Sequence, residues 1–257
     1  MGGYHSFSYF YDSLTRNIDY KKRAEYFNML IKKHGGTKNL LLDLACGTGS
    51  LSEKMSRMGY DVIGIDSSEE MLNAAIEKKL ESGLEIQYLC QDMTRLDMFG
   101  TIDVTICALD GLNHLPSLEA IEQTVRRVSL FCEPRGLFIF DINTPYKHKN
   151  ILGNNTFVYD TENVFCVWQN TYHSGDDNRV DMVLDFFERQ EKGQKKGQGN
   201  GLYSRYEDEF SEIAFEESII DGILLKCGFE IAGKYDYDSV LPPKKDSEKL
   251  VYVARKV

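Results

Sequence analysis

LLDLACGTGS, residues 41–50, decides how the rest of the chain is read. Leu40 to Leu44 is an apolar run of strand length that meets an aspartate, Asp43, near its end. Gly47-Thr48-Gly49 then turns the backbone sharply, and a helix begins at Ser50. A strand–glycine–helix corner brings bare N–H groups close to a ligand. A phosphate-cradling loop would need G-x-x-x-x-G-K-[ST], and no lysine stands at that place. A dinucleotide fingerprint would need a third small residue for close helix–strand packing. Counted from Gly47, that position is Ser52, a partial match.

Outward from this corner, short apolar runs alternate with helical patterns. Strands are expected at Leu40–Leu44, Val62–Ile65, Ile86–Leu89, Ile102–Cys107 and Leu137–Phe140. Leu118, Ile121, Val125, Val128 and Cys132 recur at helical spacing, and Glu133-Pro134-Arg135-Gly136 is expected to close that helix. Such alternation implies an α/β domain whose parallel sheet is covered on both faces. After Pro145 the pattern changes. Val164–Tyr172, Val180–Phe186 and Leu202–Phe210 read as half-buried strands, with a turn at His173–Asn178 and a glycine-rich polar loop at Glu191–Gly201. Residues 150–211 therefore read as an antiparallel β insertion. Residues 1–149 and 212–257 form the main domain, which opens with a helical, aromatic-rich stretch reaching His34. A helix (Phe215–Cys227) and two strands (Phe229–Tyr237, Leu250–Arg255) rejoin the main sheet.

Two more acids narrow the ligand. Asp66 ends the second strand in VIGIDSSEEML, where a carboxylate can accept both ribose hydroxyls of NAD or of an adenosyl group. Asp92 follows the third strand, where it can accept from the adenine amine. Together with Asp43 they make an acidic rim at three successive strand ends, the side on which open α/β sheets bind ligands. No phosphate-neutralising group accompanies them, so a neutral or cationic ligand suits the rim better than a pyrophosphate. Each acid alone could equally cap a helix or sit in a solvated turn, Asp66 ahead of Ser67-Ser68-Glu69 among them.

LLDLACGTGSL, VIGIDSSEEML, CQDM and GLFIFDIN resemble the successive motifs of class I S-adenosylmethionine-dependent methyltransferases, over residues 39–142. FYDSL, near the start of the chain, resembles a subgroup of small, bacterial-type members with a helical N-terminal lid and an antiparallel insertion after the fifth strand. The resemblance implies a doubly wound, Rossmann-like, seven-stranded and mostly parallel sheet whose last strand is antiparallel. It implies S-adenosylmethionine as cofactor, S-adenosylhomocysteine as product, and no metal. Asp43, Ala45, Cys46, Gly47, Thr48 and Gly49 would surround the methionine moiety. Asp66, Ser67 and Met71 would hold the ribose side, and Asp92 and Met93 the adenine. Ala108, Leu109 and Asp110 would approach the sulfonium, with Tyr11 closing the pocket from the lid.

Methyl transfer needs a nucleophile held in near-attack geometry and shielded from water, and needs a base only when the acceptor arrives protonated. The ordinary pKa of an imidazole suits that base, and His114 follows the fourth strand. It could instead pack against the helix that starts near Ser117. Tyr11 is a second catalytic candidate, with Tyr9 beside it as an orienting residue. Asn113, Trp168 and Arg205 are candidate acceptor contacts, Arg205 for a substrate carboxylate. Trp168, Tyr172, Tyr203 and Tyr206 could line a cover over the acceptor, or simply form an apolar face laid on the main domain.

Composition bounds the partners. Thirty Lys and Arg against 40 Asp and Glu give a net charge of −10, which disfavours nucleic acid and points to a small-molecule acceptor attacked through N or O. Tyr20-Lys21-Lys22-Arg23 and Lys192–Lys196 are the basic clusters that could argue for RNA or protein instead. A non-enzymatic binder of the adenosyl ligand would be expected to have a degraded glycine corner, and this one is intact. The six cysteines lie far apart without metal-ligand spacing, as buried free thiols of a reducing cytoplasm would. No apolar run approaches membrane-spanning length, and MGGYHSFSYF lacks signal-peptide character, although Gly2 and Ser6 fit the loose myristoylation pattern. Oligomeric state is not readable from the sequence.

Overall fold

A computed structural model of the chain describes residues 10–12, 15, 18–37, 39–175, 177–190 and 202–257. Gly2, Ser6, Phe7, Tyr9, Ser13, Leu14 and the 191–201 loop with its Lys192–Lys196 cluster lie outside the described residues.

The main sheet contains β1 (Leu40–Leu44), β2 (Asp61–Asp66), β3 (Ile86–Cys90), β4 (Ile102–Cys107), β5 (Cys132–Asn143), β10 (Phe229–Asp236) and β11 (Lys249–Lys256). Their order across the sheet is β10-β11-β5-β4-β1-β2-β3. β11 pairs antiparallel with both β5 and β10, whereas β1 to β5 pair in parallel, as the resemblance implies. Residues alternate faces along a strand. Leu42, Leu44, Phe138 and Phe140 therefore pack on one side of the sheet, with α4 (Leu118–Phe131) and α5 (Glu217–Lys226). Leu41, Leu137, Ile139 and Val251 pack on the other side with α1 (Tyr20–Lys33) and α2 (Ser50–Arg57). α3 (Glu69–Ser82) links β2 to β3.

From β1 the chain winds outward to β2 and β3, then returns past β1 to β4 and β5. That reversal between β1 and β4 splays the connections and opens a crevice at the strands' carboxyl ends.

The insertion is a four-stranded antiparallel sheet, β6-β7-β8-β9, formed by Thr156–Asp160, Val164–Tyr172, Val180–Arg189 and Tyr203–Glu212. β7 and β8 show the alternation expected of them, and Val180, Met182, Leu184 and Phe186 of β8 are all buried. β6 alternates only between exposed and half-buried positions, so the sequence marks it weakly. Phe10 seats the N-terminal segment on this sheet, stacking on Phe186 at 4.9 Å and tilting against Tyr206 at 5.5 Å.

Two local expectations need correcting. Glu133–Gly136 does not simply close α4, because β5 begins at Cys132 and takes these residues into the strand as an irregularity. Arg135 absorbs it at φ +67°. The N-terminal stretch is also not one helix to His34, since Phe10–Asp12 is helical but Ile18 and Asp19 are not.

The glycine corner is tight at one residue. Gly49 has φ +74°, and a Cβ there would overlap the Tyr88 hydroxyl beneath it. Gly47 has φ +55° but open space around its Cα. Gly47→Ala is expected to cost about 1–2 kcal/mol, the left-handed penalty alone. Gly49→Ala adds overpacking of about 1–3 kcal/mol. Urea unfolding of the two variants should rank Gly49→Ala clearly worse; equal losses would contradict the packing around Tyr88.

Candidate active site

The crevice between β1 and β4 is a cavity of about 230 Å³. Of the sequence-predicted cofactor set, Tyr11, Asp43, Ala45, Cys46, Gly47, Thr48, Asp66, Ser67, Met71, Asp92, Met93, Ala108 and Leu109 line it. His114 lines it too, so both catalytic candidates face one cleft. Tyr20, Gln91 and Gly111 are lining residues that the sequence reading missed. Gln91 lies inside CQDM, whereas Tyr20 and Gly111 belong to none of the quoted methyltransferase-like motifs.

Asp66 holds the corner together. Its Oδ2 accepts from the Gly47 N–H at 2.8 Å and its Oδ1 from the Ser68 N–H at 2.9 Å. Ser68, not Asp66, is the N-cap of α3, accepting from Met71 N. Burial pushes the Asp66 carboxyl upward, and the N–H groups of Ser68 and Gly47 oppose that rise. Asp43 is buried, and its Oδ2 accepts from Ser52 Oγ at 2.5 Å. Ser52 thus serves the acid rather than a pyrophosphate. Burial raises the Asp43 carboxyl to about 7, against partial relief from Ser52. Asp92 is exposed and also caps the turn at Met93–Arg95, accepting from Thr94 N at 2.8 Å.

Across the crevice a second carboxylate clamps a second turn. Leu109 and Asp110 follow β4 at φ +57° and +66°, conformations that side chains rarely adopt. Their N–H groups donate to Asp141 Oδ2 and Oδ1 at 3.1 and 2.8 Å. Asp141 is completely buried on β5. Opposite them Ala45 has φ +60°. Asp110 itself turns away from the cleft, onto Lys249 Nζ at 2.6 Å. Burial alone would raise the Asp110 carboxyl, but the Lys249 and Lys147 ammoniums outweigh it and hold the carboxyl at about 2.

Several predicted residues therefore stand elsewhere. Asp110 is spent on its ion pair, and Gly49 faces Tyr88 rather than the cavity. Asn113 is buried as a strap, donating to Ile213 O at 2.7 Å and accepting from Asn143 N at 2.9 Å. Trp168 does not line the cavity; it donates to Asn170 Oδ1 and packs near Phe157 and Tyr159. Arg205 is exposed, paired with Asp185 and Glu207 on the insertion. Burial, with Tyr20 beside it, pushes the Tyr11 phenol well up, so it can donate a hydrogen bond but cannot act as a base near neutral pH.

The lining discriminates between ligands. Three carboxylates face the cavity, and its described lining contains no lysine or arginine. A unit charge ~4 Å from a carboxylate at a protein surface interacts by about 4 kcal/mol, favourably for a cation and unfavourably for a phosphate. A sulfonium and an ammonium fit this lining; a pyrophosphate does not. Asp43, Ala45 and Gly47 would hold the methionine end of S-adenosylmethionine, Asp66 the ribose, and Asp92 with Met93 the adenine. Binding an ammonium demands the Asp43 carboxylate, which in the free protein keeps its proton up to about pH 7. Ligand affinity should therefore fall by close to tenfold per pH unit below that point, with a proton released on binding. Free-protein stability runs the opposite way, because an unfolded aspartate ionises near 3.8 and the folded state gains as pH falls from 7 toward that value. Calorimetry with S-adenosylhomocysteine at pH 6, in two buffers of different ionisation enthalpy, should show the release, and Asp43→Asn should abolish it. Release of no proton by wild type would refute this role.

Comparisons with known proteins agree with this geometry. Residues 41–136 match the family described as Methyltransferase domain. The crystal structure of an S-adenosylmethionine-dependent methyltransferase from Clostridium acetobutylicum ATCC 824 superposes with a TM-score of 0.86 and 32% identity, covering 98% of both chains. YqeM of Bacillus subtilis (strain 168) is 28% identical over 98% of this chain and 97% of its own. The ubiquinone biosynthesis O-methyltransferase of Xanthomonas axonopodis pv. citri (strain 306) is 33% identical over 47% of this chain and 49% of its own. A likeness that covers 98% of the chain, over a crevice whose charge suits the same ligand, makes this protein a member of the class I S-adenosylmethionine-dependent methyltransferases, an enzyme that transfers a methyl group.

Proposed function

We propose that the acceptor is a small molecule, received beside His114 between the cofactor cleft and the insertion sheet. The strap across the cleft carries this reading. Phe10 is stacked on the insertion, Tyr11 lines the cavity, and Asp12 is tied to the main domain. Asp12 Oδ2 lies 2.5 Å from Lys78 Nζ, and its Oδ1 accepts from Thr48 Oγ1 at 2.8 Å. Lys78 also donates to Thr48 and Ser50 at 2.9 Å, joining strap, glycine corner and α3. A segment fastened on both sides leaves little room for a folded macromolecule.

One basic cluster is partly spent inside the fold. In Tyr20-Lys21-Lys22-Arg23 the arginine is buried, 2.6 Å from Asp238 and 4.0 Å above the Tyr237 ring. No described helix is long and apolar enough to cross a membrane. The buried free thiols of Cys107, Cys132, Cys166 and Cys227 suit a cytoplasmic setting. The sequence assignment of residues 150–211 as a substrate cover fits the same picture, with its inner aromatic face holding the strap.

S-adenosylmethionine supplies an electrophilic methyl carbon whose bonding pair leaves on sulfur as the thioether product. The chain itself orients and shields. Tyr11, a neutral donor, closes one side, and the Leu109–Asp110 turn clamped by Asp141 fixes the other. His114, which lines the same cavity, is the candidate to take a proton from an acceptor that arrives protonated.

A screen reading S-adenosylhomocysteine release tests the proposal. Small amines, phenols and hydroxy compounds are presented against bulk tRNA and a lysate protein fraction. Turnover is expected with a small compound only; release that follows tRNA or protein would overturn the reading.

A further inference from the structure

Lys249 opens β11, where it pairs in register with Asn143 of β5, as Val251 pairs with Asp141. Residues two apart on a strand share a face, so Lys249 stands on the face of Asp141 and diagonally across from it, within reach of a long side chain. Its Nζ lies 2.6 Å from Asp110 Oδ1 and donates to Asp110 Oδ2 at 2.7 Å. The Tyr237 ring, 5.0 Å from that ammonium, carries Arg23 at 4.0 Å. Lys249 is 139 residues from Asp110 in the chain, so no motif joins them.

The turn after β4 sets two carboxylates together. The Leu109 and Asp110 N–H groups donate to Asp141, which is completely buried, and the Asp110 side chain is itself only 16% exposed. Like charges held close in a dry site repel, and a cation between them removes that cost. Other cations nearby have other partners: Lys147 Nζ donates to Asn143 Oδ1 at 2.7 Å, and Arg23 lies 2.6 Å from Asp238. Burial pushes the Asp141 carboxyl up and Asp110 adds to the rise, while the Lys249 ammonium opposes it. We propose that Lys249 is a positioning residue for the cofactor: its ammonium is the shared counter-charge that lets Asp110 and Asp141 stand together, so that the turn keeps its left-handed form and Leu109 stays in the cleft wall. Without that charge the two carboxylates part, and the strained turn loses the surroundings that over-determine it. This rests on the reading that S-adenosylmethionine occupies this cleft, and it does not involve the acceptor.

A lysine that only packs its stem against Tyr237 would be missed for its carbons, and taking the charge off Asp110 would not repair its loss. A shared counter-charge is missed for its charge, and neutralising Asp110 in the same chain would repair it. Calorimetry of the full chain with S-adenosylhomocysteine at pH 8 compares wild type, Lys249→Met and the double variant Asp110→Asn/Lys249→Met, with thermal melts showing which of them fold. Lys249→Met is expected to weaken binding on the order of tenfold, because it leaves a buried charge unpaired. The double variant should return to within about threefold of wild type, since a buried pair replaced whole costs little. A folded Lys249→Met that binds as well as wild type overturns the proposal. A double variant that does not fold, or that recovers none of the lost affinity, overturns it too, whether or not Lys249→Met folds. Wild type that does not bind S-adenosylhomocysteine overturns instead the cofactor reading beneath the proposal, and so the two failures are told apart.

Discussion

Two carboxylates, each accepting two backbone N–H groups, hold open the crevice on which everything else depends. Asp66 grips Gly47 and Ser68 on the β1–β2 side, and Asp141 grips Leu109 and Asp110 on the β4–β5 side. Between them lie Ala45, Leu109 and Asp110, non-glycine residues in left-handed conformations that cost on the order of 1–3 kcal/mol each. Such strain persists only where its surroundings over-determine it, and charge-assisted bonds to buried carboxylates do that here. On the β4 side the strained turn at Leu109 and Asp110 brings the strand end close to a ligand with non-glycine residues. Gly111 alone keeps the approach open on the β4 side, where a Cβ would meet Cys107 Sγ at 2.7 Å and Ala45 Cβ at 3.1 Å.

The acids divide the labour by burial. Asp43 and Asp66 are desolvated and pushed upward, so they favour a ligand that brings positive charge or hydroxyl donors. Asp110, half-buried, and Glu212, buried, are instead paired with cations or imidazoles and held low. The same residue type therefore serves recognition on one side of the cleft and organisation on the other. The strap through Phe10, Tyr11 and Asp12 couples the glycine corner and α3 to the insertion.

What the sequence makes legible is local. β1 and β4 are apolar-rich stretches of strand length, broken only by Asp43 in the first and by Asp103 and Thr105 in the second, and their expected limits match the structure residue for residue. Three acids at three strand ends are visible because strand periodicity places them together. Asp141 was in view within GLFIFDIN, but an aspartate in an apolar strand says nothing of which backbone it holds. Glu212, Lys249 and Asp141 act through contacts 31 to 139 residues away in the chain, beyond any periodicity. Arg205 reads as available for a substrate because Asp185 becomes its partner only when β8 and β9 align, completing a pair with Glu207 two residues along its own strand. Asn113, a candidate acceptor contact by its position after the fourth strand, is turned inward by packing that no local pattern shows.

The most direct test of this account is titration calorimetry of the intact chain with S-adenosylmethionine, S-adenosylhomocysteine and NADH in parallel, repeated with Asp66→Ala. The acid-lined crevice predicts binding of the first two, no binding of NADH, and a loss in Asp66→Ala of about 2–4 kcal/mol, as expected for two charge-assisted hydrogen bonds to the ribose. Binding of NADH alone, or an Asp66→Ala chain that binds S-adenosylhomocysteine as well as wild type, would contradict it.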